Sequence, residues 1–314
     1  MRGLSFFVLL AAASLEAAVS GDAQIRAKAG PSEIVITTTS RLAGAIHSLR
    51  WNGREFIDSA DHGRQLQSAS NFDAGSRITA ETYNPTEAGS RFDGAGQKST
   101  SVLHALHAKG NTLTTISQMA FWLQPGEKSV GNLAKNKTAL SNHQLKKTVR
   151  IGAHGLPHAI SYHVTFTVPK GEGHKHAVFE AVTGYMPPAF SKFLTFDPKT
   201  QKLLSLTDSP GEQSHPIIHS TPDKKYAMGV WSPAQPAKGF EHVGYGRFRF
   251  KSQEVVKWNC VFRVNHPKAL PSGEYPYQCY VLVGSLQNVT DTMTRLHRHY
   301  LRTKPYIKPG KLRE

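Results

Sequence analysis

Apolar and polar side chains alternate with a period of two along much of this chain, a pattern that fits extended strands and little else. Ser32 to Thr38 (SEIVITT), Ala45 to Arg50, Leu113 to Phe121, Ile160 to Val168, Ala177 to Val182, Tyr226 to Val230 and Arg247 to Phe250 read this way. They are rich in Val, Ile, Thr, Tyr and Phe, the residues that suit a half-buried pleated surface. Helical spacing is confined to Asp291 to Tyr300, where Met293, Leu296 and Tyr300 share a face. Gly, Pro and Asn punctuate the strands. The expected fold class is therefore all-β, a large antiparallel sandwich with long loops and one short C-terminal helix. No Gly/Ser or Pro linker divides the chain, so one domain is expected over residues 24–300. Two stretches, Asp58 to Gly96 and Gln124 to Lys147, are rich in Gly, Asn, Ser and charge and read as loops. Long loops on a rigid scaffold are where binding sites concentrate.

The N-terminus has the three-part order of a signal peptide: Arg2, an apolar run from Leu4 to Ala13, then small residues through Ala18 and Ser20. Its apolar core is about ten residues against the roughly 20 that span a bilayer, so residues 1–20 are expected to be removed on export. Nothing later is apolar for long enough to cross a membrane as a helix, and residues 301–314 form a basic tail. The net charge is +16, and losing Arg2 and Glu16 with the leader leaves it unchanged. Such a surplus favours anionic partners such as acidic glycans, or simply keeps an exported protein soluble. It forms no nucleic-acid-binding motif. Cys260 and Cys279, the two cysteines of the chain, flank the turn-rich segment Asn265 to Gly273 symmetrically. Strands Val255 to Val264 and Tyr275 to Val283, paired as a hairpin, would set them opposite one another as a disulfide; buried free thiols are the alternative. Asn136-Lys137-Thr138 and Asn288-Val289-Thr290 are glycosylation sequons, whereas Asn84 is excluded by Pro85.

Gly44 to Ile57 (GAIHSLRWNGREFI) reads as a strand, a tight Asn52-Gly53 turn and a return strand, leading into Asp61-His62-Gly63-Arg64-Gln65-Leu66-Gln67. Over residues 32–68 this resembles the galactose mutarotase-like group of β-supersandwich proteins, in which such a hairpin precedes a Gly-Arg element. The resemblance implies that Arg64 contacts sugar. A planar guanidinium suits that role, since it donates to two adjacent hydroxyls or pairs with a uronate carboxylate. A structural arginine tying two loops together is the alternative. The late catalytic glutamate of the mutarotases has no counterpart motif; Glu241, Glu254 and Glu274 are merely available.

Tyr83-Asn84-Pro85-Thr86-Glu87 places an aromatic, an amide and a carboxylate together. Tyr83 and Asn84 would bind substrate and Glu87 would act as general acid or base, or the segment is a turn with a solvated glutamate. Trp122 ends an apolar strand and either stacks on a pyranose or fills the core. Glu180 and Tyr185 flank Thr183-Gly184 and would face a ligand across a concave surface. The chain carries 16 histidines. His62 and His215 are the candidate proton-transfer groups, and on an extended segment His215 and His219 would share a face, as an acid and base pair or as metal ligands. No short metal motif is present, so no metal or cofactor is assigned.

Two functions compete on these residues. One is an exported lyase, hydrolase or epimerase acting on an extracellular poly- or oligosaccharide, anionic or neutral. The other is a non-catalytic glycan-binding or matrix protein on the same fold. Convergence of Arg64, Glu87 and a histidine in one pocket would favour catalysis; their scatter would favour binding.

Overall fold

The computed structural model describes residues 19–75, 77–233 and 243–303. Residues 1–18, which hold the basic and apolar parts of the expected leader, Glu241 and the tail beyond residue 303 lie outside the described residues. Strands run in chain order as β1 (Ala23–Ala29), β2 (Ser32–Thr38), β3 (Ile46–Trp51), β4 (Arg54–Glu55), β5 (Leu66–Phe72), β6 (Pro85–Thr86) and β7 (Val102–Lys109). There follow β8 (Thr112–Phe121), β9 (Lys128–Ser129), β10 (Asn132–Leu133), β11 (Leu140–Ile151), β12 (Ala159–Val168), β13 (His176–Met186) and β14 (Lys192–Asp197). The rest are β15 (Lys202–Ser205), β16 (Gly211–Gln213), β17 (Ile217–Ser220), β18 (Ala227–Trp231), β19 (Gly244–Phe250), β20 (Val255–Asn265) and β21 (Gly273–Gly284), and helix α1 (Leu286–Thr303) closes the described chain.

Hydrogen bonding sorts these strands into two antiparallel layers. The first runs β1-β2-β3-β5-β13-β20-β19-β16. The second runs β7-β8-β11-β12-β21-β18-β17-β14-β15. Short β6 pairs with both β5 and β8 and so seams the layers together. Their inner faces share one core, with Phe166 of β12 packed 5.0 Å from Phe179 of β13. The all-β sandwich read from alternation is thus the observed fold. Burial in β11 alternates strictly: Ser141, His143, Leu145, Lys147, Val149 and Ile151 point inward and the residues between them point out.

Helix α1 starts five residues before the periodic segment legible in the sequence. Its N-terminus is capped reciprocally, the Asn288 amide N–H donating to Ser285 Oγ (3.1 Å) and the Ser285 N–H to Asn288 Oδ1 (3.1 Å). Leu286, Val289, Met293 and Leu296 then bury a stripe against the outer face of the second layer, around Ile218, Trp231 and Leu282. No helix among the described residues is long and apolar enough to cross a membrane.

Three expectations need correction. Asp58 to Gly96 is not one long loop, because it contains β5, which pairs with β13 and lies inside the first layer. Gln124 to Lys147 likewise contains β9, β10 and much of β11. The cysteine strands do not pair as a hairpin: Cys260 lies opposite Val182 and Tyr245, and Cys279 opposite Tyr162. The two sulfurs instead meet across the interior at 3.6 Å as buried free thiols, beyond the bonding distance of about 2.05 Å. Burial pushes the Cys260 thiol well above its ordinary pKa. Asn136 is only 6% exposed, and its amide nitrogen donates to the Leu123 and Thr138 carbonyls (both 2.9 Å), which closes that sequon in the folded chain.

Candidate functional site

The Asn52-Gly53 turn forms as read, with φ of 48° and 75° at its two central residues, and the chain beyond it is carried to the outer face of the first layer. On that face the registers of β13, β20 and β19 set Tyr185, Lys257 and Phe248 in one row. The Lys257 ammonium sits between the two rings, 5.1 Å from the Tyr185 centroid and 5.4 Å from that of Phe248. Glu180, nearer the start of β13, reaches the same ammonium at 3.3 Å. Burial alone would lower the Lys257 pKa, but the charge of Glu180 and the Tyr185 hydroxyl outweigh it and hold the ammonium above its ordinary range. Burial likewise raises the Tyr185 phenol.

A cleft of about 230 Å³ opens above this row, lined also by Asn71, Glu81, Asn84 and Trp122. Trp122 approaches so closely over Gly63 that a Cβ there would stand 2.6 Å from its Cη2, so any larger residue would force the indole to shift. Asn84 is oriented by donating its side-chain amide to the Ser70 carbonyl. Two residues that line it carry buried side-chain oxygens, Ser70 Oγ and Asn71 Oδ1, with no hydrogen-bond partner among the described residues. Buried polar atoms are rarely left so. Of the charged groups lining it, Glu180 and Lys257 offset one another and Glu81 remains, its carboxylate accepting from Ser129 Oγ at 2.6 Å.

The structure therefore brings together Asn84, Trp122, Glu180 and Tyr185, four residues singled out from the sequence. Arg64 stands at the edge, next to Gly63 but already engaged: its Nε donates to Asp61 Oδ2 (3.0 Å), its NH1 donates to the Gln253 carbonyl (3.3 Å), and Asp58 lies 3.8 Å away. Those bonds tie the segment after the β3–β4 hairpin to the turn before β20. Tyr83 points away from the cleft, its ring packed at 4.7 Å on Phe121 and 5.0 Å on His174. Glu87 is enclosed between the layers, ion-paired to Lys147 and accepting the Ser68 N–H (3.0 Å). His62 is buried, both ring nitrogens taken up by the Gly94 (2.7 Å) and Arg41 (2.8 Å) carbonyls. His215 precedes β17, outside the cleft, and His219 is buried flat on Phe193 at 3.9 Å. Arg64, Glu87 and a histidine do not converge.

Lys257, Phe248 and Glu81 went unnoticed in the sequence. A signal existed for Lys257, an isolated charge inside the otherwise apolar run Val255-Val256-Lys257-Trp258. Histidines gather elsewhere. His143 of β11 and His174, before β13, both reach one oxygen of Glu172 at 2.7 Å, the one group of metal-ligand type found among the described residues. Burial would raise the Glu172 carboxyl, but hydrogen bonds from the two imidazoles outweigh it and hold it at about 2.

No family model and no curated protein matches the chain in sequence. Among solved structures it is similar to an α-galactosidase from Lactobacillus brevis, with 9% identity, TM-score 0.45, and coverage of 86% of this chain and 40% of that one. It is also similar to a candidate mutarotase from Salmonella typhimurium (8% identity, 83% and 93% covered, TM-score 0.35) and to a polysaccharide lyase (8%, 86% and 35%, 0.41). The chain spans about two fifths of the length of the α-galactosidase. The mutarotase neighbour is of the kind that residues 32–68 resemble. At these scores the likeness carries nothing about ligand or chemistry.

Proposed function

We propose that this is an exported carbohydrate-binding protein that takes a neutral sugar ring into the cleft above Lys257. The observation that carries the reading is a cleft lined by two half-buried aromatic rings, Trp122 and Tyr185, together with the polar side chains of Asn71, Asn84 and Glu81. Sugars present an apolar ring face and a rim of hydroxyls, and this wall offers a complement to both. The volume, about 230 Å³, is below the roughly 300 Å³ at which drug-sized sites begin, which suits one ring rather than a buried chain. A uronate is disfavoured here, because Lys257 is already offset by Glu180 and Glu81 adds negative charge. The basic surplus would act outside the cleft, drawing the protein toward acidic material at low ionic strength.

Binding is favoured over catalysis because the groups expected to do the chemistry, Arg64, Glu87, His62 and His215, are dispersed or enclosed. One observation supports a catalytic second reading: Glu81 and Glu180 line the same cleft, and paired carboxylates serve glycoside hydrolysis. Titration calorimetry of the purified protein against neutral and acidic oligosaccharides, with reducing ends and unsaturated products followed in parallel, separates the two. The binding reading expects affinity for neutral members, no product, and about tenfold weaker binding in Trp122→Ala from lost stacking. Affinity unchanged in both Trp122→Ala and Lys257→Ala would refute the cleft as the site. Product formation abolished in Glu180→Gln would establish the enzyme. Export is tested by N-terminal sequencing of material from the culture medium, with Gly21 expected first. In an oxidising compartment Cys260 and Cys279 would close into an inter-sheet bridge, read as loss of two hydrogens in the intact mass, and a eukaryotic host would use the Asn288 sequon.

A further inference from the structure

We propose that His143, Glu172 and His174 hold a divalent transition-metal ion, with Zn²⁺ the best chemical match. Three donors of the right type already converge: the Nε2 atoms of both histidines lie 2.7 Å from Glu172 Oε2, and all three ligand atoms fall within 4.8 Å of one another. Zinc–nitrogen and zinc–oxygen bonds near 2.1 Å in tetrahedral geometry set ligands about 3.4 Å apart, so each imidazole nitrogen needs to part from the carboxylate oxygen by about 0.7 Å to admit the ion. Two imidazoles with one carboxylate select a zinc-like ion over Mg²⁺ or Ca²⁺, which prefer all-oxygen shells.

The surroundings are those of a built site. Both imidazoles are buried, with the Phe72 ring against each at 4.7 and 4.6 Å, so their orientations are held without the ion. Glu172 is delivered by a turn with glycines at positive φ on either side, Gly171 at 84° and Gly173 at 67°. His174 Nδ1 accepts the Ala74 backbone N–H (3.3 Å) and has the Asp73 carboxylate 3.4 Å away, so the ring is engaged on both its nitrogens. Among the described residues neither the Asp73 nor the Glu172 carboxylate has a lysine or arginine side chain within 4.0 Å; the Lys135 ammonium donates instead to the Asp73 backbone carbonyl (3.1 Å), and the Lys175 backbone N–H donates to the Asp73 carboxylate (3.1 Å). A divalent ion would bring compensating positive charge to these two carboxylates. A shallow cavity of about 230 Å³, bounded by Pro169, Gly171, Leu270 and Ser272, opens beside Glu172 and His174 and gives room for entry and for a water as fourth ligand.

The test uses the full chain, stripped by chelator, incubated with Zn²⁺ and dialysed, with metal counted by mass spectrometry. One equivalent retained per chain, lost in both His143→Ala and His174→Ala and kept in the exposed-surface control His104→Ala, supports the site. Folded wild-type protein that retains no zinc, or variants that still retain it, overturns the proposal. Should the alanine variants fail to fold, cobalt is added to stripped wild-type protein. Intense visible d–d bands of low-coordinate cobalt then support the site, and the pale spectrum of the hexa-aqua ion refutes it. Neither readout depends on sugar binding, so this proposal and the cleft reading stand or fall separately.

Discussion

The enclosed pair Glu87–Lys147 allows a sharp test of whether this glutamate is structural. Glu87 is 1% exposed and Lys147 fully buried, and they are partners across the interior, with the Lys147 ammonium 5.8 Å from the Tyr162 ring. Lys147→Met removes one charge and leaves the other in a low-dielectric site, which costs about 3–5 kcal/mol when a buried pair is broken from one side. At about 2–4 °C of Tm per kcal/mol in a domain of this size, the single variant should melt roughly 6–20 °C lower. Glu87→Gln should lose a comparable amount by stranding the ammonium. In Glu87→Gln/Lys147→Met no charge remains to be solvated, so the double variant should be more stable than either single one. The assay is denaturant unfolding of all four proteins as a double-mutant cycle, with constant m-values as the check that one transition is compared throughout. Additive single losses, or a Glu87→Gln variant as stable as wild type, would refute the argument and return Glu87 to the list of accessible catalytic groups.

Other outcomes follow from the same structure. His219 is held neutral by burial and by Arg249 and Arg247, its pKa falling from 6.5 to about 3. Its stabilising effect is therefore complete above pH 6.5 and is lost as pH falls toward 3, about 2 kcal/mol of it by pH 5. Stability measured against pH should be flatter over that window in His219→Leu, and parallel curves would remove His219 as the cause. Gly63→Ala should push the Trp122 indole aside and weaken sugar binding while leaving the melting temperature nearly unchanged; undiminished affinity would show that the indole does not contact ligand. Protein purified under reducing conditions should show no thiol reactive to a disulfide reagent until guanidinium is added, then two, whereas prompt reaction in the native state would contradict the burial of Cys260 and Cys279.

Legibility followed side-chain period. Segments such as Ser32–Thr38, whose apolar residues fall on alternate positions, were readable almost to the residue. Strand β5 was not. Its sequence LQSASNF carries small polar groups on both faces, yet all but one of its residues are buried, because Ser68 donates to the Ala181 carbonyl (2.7 Å) and Gln67 to that of Gly63 (3.0 Å). Polarity satisfied by local partners looks, in sequence, like polarity satisfied by water. The hairpin expected around the cysteines failed for a different reason: proximity in sequence suggested it, but β20 and β21 belong to opposite layers, and only the paired partners of each strand reveal this. In the site, Trp122, Asn84, Glu180 and Tyr185 were recognisable by type. Their grouping around Lys257 depends on registers between strands distant in sequence, which no local motif encodes.

The order in which the strands leave the ribosome gives the two-layer weave a temporal side. β5 is synthesised early, but its long neighbour β13 emerges only after β7, β8, β11 and β12, all of which belong to the other layer. β12 in turn waits for β21, near the end of the described chain. A nascent chain therefore carries open strand edges through most of its synthesis, with the closing of long loops postponed to the last step. That is the regime of slow folding and of competition with aggregation, and a chain built this way gains most from being held unfolded until it is complete.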